Sequence, residues 1–393
     1  MSEPCSAPAA LDPNIRSNQV RSTSIRRRVI PTVAAFALAL AVTACGAGNE
    51  SDAGGDSSAG GGSGGDPVTL DGGGSTAQAK AQAAWRAAYQ DDSGNTVNYE
   101  EVGSGTGREN FNSGAYVFAG SDSYLNDDEG ELSAAKERCG GSDPIEVPAY
   151  VSPIAVAFNL GEDILSLNLS AETIANIFNG TITKWNDDAI ATDNPDVELP
   201  DTAISIIHRS DDSGTTKNFT EYLSAASNGA WADDADGLWP EGLPGQGLEG
   251  TSGVIGGISD TEGAIGYADE SAVGDLGVVS IGVGSAFNPP TAEGAALVVA
   301  ASPRADGRPD VDMAIDIDRT ITDEGAYPLL LTSYVIACQT YDDEATATAV
   351  KDYLAYMVSA DGQQAAADEA GSAPLDSALQ SEAAGIVDKI SAG

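Results

Sequence analysis

The chain has 393 residues, with 60 Asp and Glu against 18 Lys and Arg, a single His and a formal net charge of −42. So acidic a chain lacks the clustered cationic charge that nucleic-acid backbones require, and one histidine excludes His-rich metal centres and leaves any Ser-His-Asp machinery to His208 alone. Hydrophobic residues at 41% and charged ones at 20% describe a soluble globular protein, and the bulk charge by itself predicts repulsion of anions.

Residues 1–44 read as an address rather than as fold. Arg26, Arg27 and Arg28 precede a short apolar run at 33–42, and Val42-Thr43-Ala44-Cys45 ends it on small residues and a cysteine. A basic start, a short apolar middle and small residues before a cut describe a secretory signal, and the run is too short for a comfortable permanent bilayer span. The ending is similar to a bacterial lipobox, with Cys45 as the lipidation point and mature N-terminus. Residues before Arg21 make an unusually long lead-in. Residues 45–66 follow as the lipidated Cys and a coil of nearly all Gly, Ser, Asp and Ala, reaching roughly 25 Å. A formal G-x-S-x-G match from Gly61 to Gly65 falls inside this coil, without the strand and helix a nucleophile elbow needs.

From residue 67 short apolar runs alternate with helical periods. Val68-Thr69-Leu70 predicts a first strand, and Trp85, Ala88 and Tyr89 share the face of a first helix. A second strand-like run at 151–159 is followed by Ile174, Ile177 and Phe178 at helical spacing behind the N-cap candidate Ser170. Residues 204–207 predict another strand before a helix carrying Phe219, Tyr222, Leu223 and Ala226, and 264–267 and 329–337 predict two more strands. The tail from 342 to 390 is helical in character, with Val350, Tyr353, Leu354 and Met357 on one face. Asp312, Asp316 and Asp318 read as the exposed face of a strand. Such alternation means an α/β fold, and the length suggests about two domains.

Three segments put small residues and hydroxyls where a strand or loop turns into a helix. They are Gly72-Gly73-Gly74-Ser75-Thr76, Gly103-Ser104-Gly105-Thr106-Gly107 and Asp212-Ser213-Gly214-Thr215-Thr216. A helix N-terminus has unpaired N–H groups and partial positive charge, so it suits an anion, although each such loop alone is more often only a cap. Arg209 adds an always-charged planar fork, and Asp211 two residues on can fix its direction. His208 reads as a strand residue, and Trp85, Trp185, Trp231 and Trp239 as packing. Asp233-Asp234-Ala235-Asp236-Gly237 fails the EF-hand pattern, because Ala232 and Leu243 hold its first and twelfth positions. Cys5 lies upstream of the signal. Cys139 and Cys338 remain in the folded part, where they can pair in an oxidising exported compartment or stay two separate buried thiols; the sequence leaves both open.

The order of these segments carries a resemblance. Gly74-Ser75-Thr76, Val97-Asn98-Tyr99 leading to Val102-Gly103-Ser104, and Phe118-Ala119-Gly120-Ser121-Asp122 come first. Lys184-Trp185-Asn186-Asp187-Asp188-Ala189-Ile190 and Arg209-Ser210-Asp211-Asp212-Ser213-Gly214-Thr215 follow, with Gly263-Ala264-Ile265-Gly266-Tyr267 and Tyr327-Pro328 behind them. From residue 68 to about 375 the chain resembles the periplasmic phosphate-binding protein of bacterial high-affinity phosphate ABC transporters, in lipoprotein form.

The resemblance implies a two-lobed type II periplasmic-binding-protein fold, with a ligand cleft between two α/β domains joined by two crossover strands. These cross near 149–157 and 326–332, so 67–152 and 327–393 build lobe I and 153–326 lobe II. It implies phosphate held by Thr76, Ala77, Ser104, Asp122, Arg209, Ser213, Gly214 and Thr215, with Asp211 holding the arginine. Ala77 stands where the family usually carries phenylalanine, and a backbone amide contact tolerates that. Asp122 beside an anion fits phosphate, which still carries a proton at neutral pH and can donate it; sulfate cannot. The expected protein is a monomeric receptor on the outer face of the cell membrane, tethered only by its lipid. It closes on inorganic phosphate and delivers it to permease subunits, with no cofactor, metal, nucleic acid or enzymatic activity. The alternatives are another oxyanion such as sulfate or molybdate, a phosphatase-like hydrolase using Ser104 or Ser213, or a secondary sensor role.

Overall fold

Local sequence explains most boundaries in the computed structural model, which describes residues 66–127 and 130–393. The expected signal segment, Cys5, Cys45 and the expected linker at 46–65 lie outside the described residues. The first part of the chain forms β1 (Thr69–Gly74), α1 (Ala79–Ser93), β2 (Thr96–Glu100), α2 (Ser104–Ser113), β3 (Phe118–Ser121), α3 (Glu131–Arg138) and β4 (Ile145–Phe158). Next come β5 (Ser166–Leu169), α4 (Ala171–Phe178), α5 (Asp188–Asp193), β6 (Ser205–Arg209), α6 (Gly214–Ala226), β7 (Gln246–Leu248) and α7 (Gly250–Asp260). The remainder is β8 (Ala264–Asp269), β9 (Gly277–Val283), β10 (Ala286–Asn288), α8 (Ala292–Ala301), β11 (Leu330–Ala337), β12 (Thr340–Tyr341), α9 (Glu344–Val358), α10 (Ala360–Ala370), α11 (Ser377–Val387) and β13 (Ser391–Ala392). Ser170, Asp187, Ser213, Thr291, Asp343, Ser359 and Asp376 cap the N-termini that follow them, each accepting a backbone N–H.

The large sheet runs β2-β1-β3-β11-β4-β8-β6-β7, with β9 joining β4 to β5 and β10. β4 divides it. Residues 145–153 pair antiparallel with β11, and from Ile154 to Phe158 the partner is β8. All of β4 is buried, which is why it reads as a continuous apolar run rather than an alternating one. Its two prolines, which cannot donate to a ladder, fall at tolerant points: Pro148 faces the register shift between Ser333 and Tyr334, and Pro153 stands where the partner changes. The strand therefore starts well before the run expected at 151–159, because Pro148 hides its first half.

Two further expectations need correction. Ala88 is exposed; the buried face of α1 is Ala81, Gln82, Trp85 and Tyr89. The acidic alternation at 312–318 is not a strand. Only isolated bridges occur there, Asp312 is buried against Arg308 and Glu146, and its Oδ1 accepts from Ala314 N at 2.9 Å. Asp316 and Asp318 are exposed as expected. Cys139 and Cys338 form a disulfide with Cα atoms 5.2 Å apart, tying the end of α3 to the end of β11. Trp85 and Trp185 are fully buried and Trp231 nearly so.

The strand ends that face α2 come unusually close. Gly74 has φ +136°, and a Cβ there would sit 2.0 Å from Gly120 O; one on Gly107 would sit 2.4 Å from Gly74 Cα. Only glycine permits this approach, which brings the first two helix-opening loops together.

Candidate functional site

Asp122, directly after β3, is the centre of the site. It is buried, and its carboxylate accepts three neutral donors. Ser75 Oγ at 2.5 Å and Ser333 Oγ at 2.6 Å bind Oδ1, and Thr215 Oγ1 at 3.2 Å binds Oδ2. Its backbone N donates to Ser104 Oγ at 3.1 Å. One residue thus gathers all three helix-opening loops. The packing is tight as well: a Cβ on Gly214 would lie 2.7 Å from both Asp122 Cβ and Ser104 Oγ.

The loops are held by their helices. Ser75 Oγ also accepts from Ala77 N at 3.1 Å and Gln78 N at 3.3 Å, standing in for a cap that Gln78 does not supply. Ser213 caps α6 by accepting from Thr216 N at 3.2 Å. Thr216 Oγ1 lies 2.8 Å from Tyr267 OH, and Tyr267 stacks on Phe219 at 4.2 Å, so an aromatic core sets the start of α6. Thr76 Oγ1 lies 2.8 Å from Thr251 Oγ1 and accepts from Thr251 N at 3.3 Å, a contact between the first loop and the start of α7.

Arg209, at the end of β6, is buried with Asp211 as its partner. Nε donates to Oδ1 at 2.8 Å and Nη2 to Oδ2, a bidentate pair that fixes the guanidinium plane. Asp211 Oδ1 also takes Gly250 N at 3.1 Å, and Oδ2 abuts Gly103, since a Cβ there would sit 2.6 Å away. Burial would raise the Asp211 carboxyl, but the hydrogen bond and charge of Arg209 outweigh it and hold it below the usual carboxylate range. His208 stacks on Trp239 at 4.7 Å and spends Nδ1 on Arg209 O at 2.8 Å, and burial pushes its imidazole pKa down.

The structure thus brings Thr76, Ala77, Ser104, Asp122, Arg209, Asp211, Ser213, Gly214 and Thr215 into one region between the two strand groups. Cys139 and Cys338 lie apart from it. Sequence reasoning missed four participants. Ser333 comes from the middle of β11, with no local pattern to mark it. Ser75 stood inside a noted loop without a role. Asn218, which donates to Asp122 O at 2.7 Å and Gly214 O at 2.9 Å, follows Gly214 by one helical turn and could have been found there. Thr251 belongs to Gly250-Thr251-Ser252, a fourth loop of the same composition at a helix start. Among the described residues no group of three His, Cys, Asp or Glu is arranged to hold a metal ion. Chemically, hydroxyls, helix N-termini and one clamped guanidinium suit a tetrahedral oxyanion, and Asp122 tolerates it only if it offers a proton.

The fold is the two-lobed one of periplasmic binding proteins. Residues 57–361 match the model of a PBP superfamily domain. The phosphate-binding protein PstS2 of Mycobacterium bovis is 38% identical over 359 residues, covering 90% of this chain and 95% of that one. The phosphate-binding protein PstS 3 of Mycobacterium tuberculosis is 36% identical over 345 residues, covering 83% and 88%. The chain belongs to the family of periplasmic phosphate-binding proteins of bacterial ABC transporters. Solved structures share the fold. A high affinity periplasmic phosphate-binding protein, PfluDING, bound with phosphate, has a TM-score of 0.66 at 24% identity, covering 80% of this chain and 92% of that one. A phosphate ABC transporter substrate-binding protein with bound phosphate from Clostridium perfringens has a TM-score of 0.55 at 18% identity, covering 77% and 98%.

Proposed function

We propose that this chain is a high-affinity extracytoplasmic receptor that closes on inorganic phosphate and hands it to the permease subunits of an ABC transporter. The observation that carries the reading is Asp122, a buried carboxylate that accepts the hydroxyls of Ser75, Thr215 and the β11 residue Ser333, in the same region as the clamped Arg209. Arg209, the hydroxyls of Thr76, Ser104 and Ser213 and the amides of Ala77, Gly214 and Thr215 surround the oxyanion. Among the described residues Oδ2 of Asp122 carries only the 3.2 Å bond from Thr215, so it keeps capacity to accept the proton of phosphate. Calorimetric titration with phosphate, arsenate and sulfate tests this. Phosphate and arsenate, both protonated near neutrality, bind one per chain and compete; sulfate does not. Equal binding of sulfate, or no heat with phosphate, refutes it.

The same reading extends to the finer assignments. Lobe I is 67–152 with 327–393 and lobe II is 153–326, a division supported by the change of partner along β4 at Ile154. Closure bends the two crossover strands, β4 and β11. The protein works as a monomer, held to the outer face of the membrane by a lipid on Cys45 and the linker behind it. A hydrolase is disfavoured because Ser104 Oγ is engaged by Asp122 N, Ser213 Oγ caps α6, and His208 is committed to the Arg209 carbonyl.

A further inference from the structure

Asn218 and Arg319 contribute no atom to the ring of hydroxyls, yet they stand where the cleft meets the second crossover strand. Both are buried. Asn218 Nδ2 donates to Gly214 O at 2.9 Å in its own helix and to Asp122 O at 2.7 Å across the cleft. Its Oδ1 accepts from Arg319 Nη2. The same guanidinium donates through Nη1 to Pro328 O at 3.0 Å and Leu330 O at 2.7 Å, and Nη2 reaches Glu221 Oε2 at 3.1 Å. Carbonyls alternate along an extended strand. Leu329 O accepts from Ile154 N at 2.9 Å, so the carbonyls of 328 and 330 face the other way, toward Arg319.

We propose that Arg319 and Asn218 are positioning residues that lock the closed cleft, an inference that rests on the phosphate reading above. An asparagine amide has an accepting end and a donating end. With the guanidinium on Oδ1, only Nδ2 can face the carbonyls of Asp122 and Gly214. Opening the cleft separates Asp122 from α6 and breaks the Asn218 bond to Asp122 O together with the longer bond from Thr215. The strut therefore slows release of the oxyanion without touching it, and ties the holding of Asp122 to the entry of β11, the strand that must bend.

The test is stopped-flow and equilibrium titration of the purified full chain with inorganic phosphate. Asn218→Ala is expected to release phosphate about tenfold to hundredfold faster, from loss of a buried cross-cleft hydrogen bond and its orienting network. Association stays within about threefold, because affinity changes of this kind fall on release. Arg319→Lys, which keeps the charge but not the fork, speeds release less, and the double variant is no faster than Asn218→Ala alone. Unchanged release in both single variants, additive effects in the double, or a loss confined to association overturns the proposal. If Asn218→Ala does not fold, as judged by its melting, Arg319→Lys decides. If the wild type gives no phosphate signal, the receptor reading is what fails. Small-angle scattering then judges the strut: Asn218→Ala should show a larger radius of gyration, and identical profiles overturn it.

Discussion

In the proposed phosphate reading selectivity falls on Asp122, because among the described residues every donor that reaches its carboxylate is a neutral hydroxyl. A fully deprotonated oxyanion would meet an uncompensated negative charge there, whereas a protonated one supplies a hydrogen bond. Asp122→Asn replaces one acceptor oxygen with a donor. It should lower the phosphate-over-sulfate affinity ratio by about tenfold or more, in line with the cost of one charged hydrogen bond. Competition calorimetry measures the ratio, and an unchanged value removes Asp122 from recognition. The segments that place Arg209 and the loop hydroxyls were legible in the sequence as short patterns of Gly, Ser and Thr ahead of a helix, while their roles toward phosphate are implied only by the family resemblance. Ser333 was not legible, because its link to Asp122 spans 211 residues and nothing around it differs from an ordinary buried strand. Asp312 misled for the opposite reason. Its regular spacing from Asp316 and Asp318 imitates a pleat, while the structure turns it inward to Arg308.

Whole elements were more legible than single roles. The helices carrying Trp85, Phe178, Phe219 and Tyr353 were visible from their period, since packing one face requires it. β4 was only half visible, because proline within a strand looks like an interruption until a register shift absorbs it. The pairing of Cys139 with Cys338 was open in the sequence, as two cysteines 199 residues apart say nothing of their distance in space. That bridge closes a long loop and joins α3 to β11 outside the cleft. Replacing both cysteines with alanine should cost about 2–4 kcal/mol of stability. Phosphate affinity should stay within about threefold, because none of the site contacts involves these residues. Denaturant unfolding of the variant, paired with calorimetry, checks both halves, and a large affinity loss would mean that the bridge positions β11 within the site.

At the scale of the whole molecule, the charge of −42 does not forbid an anionic ligand. Salt screens the outer carboxylates beyond about 10 Å, and inside the cleft Arg209 and the helix starts supply local positive charge that the bulk count does not report. Buried carboxylates matter more to stability than the many exposed ones. Asp269 is fully buried and accepts from Tyr150 OH at 3.0 Å and Ser271 Oγ at 2.5 Å, and burial raises its pKa from 3.8 to about 7 despite these bonds. Between those two values the folded state keeps a proton that the unfolded state has released. Stability from this group is therefore complete below pH 3.8 and declines as pH rises toward about 7. Asp269→Asn should gain on the wild type by about 2–3 kcal/mol between about pH 5 and pH 8. Melting curves across that range test it, with Glu146, raised by burial in the same direction, cancelling in the difference. One consequence of the strand order concerns synthesis. β11 lies between β3 and β4 in the sheet but is made long after both. A chain emerging N-terminus first must hold a slot one strand wide, with two bare backbone edges exposed to wrong partners until residues 330–337 arrive. Those residues deliver Ser333 to Asp122 and bring Cys338 to Cys139. The sheet, the binding site and the covalent clasp are thus finished by the same late segment, and a chain cut short before Leu330 lacks all three.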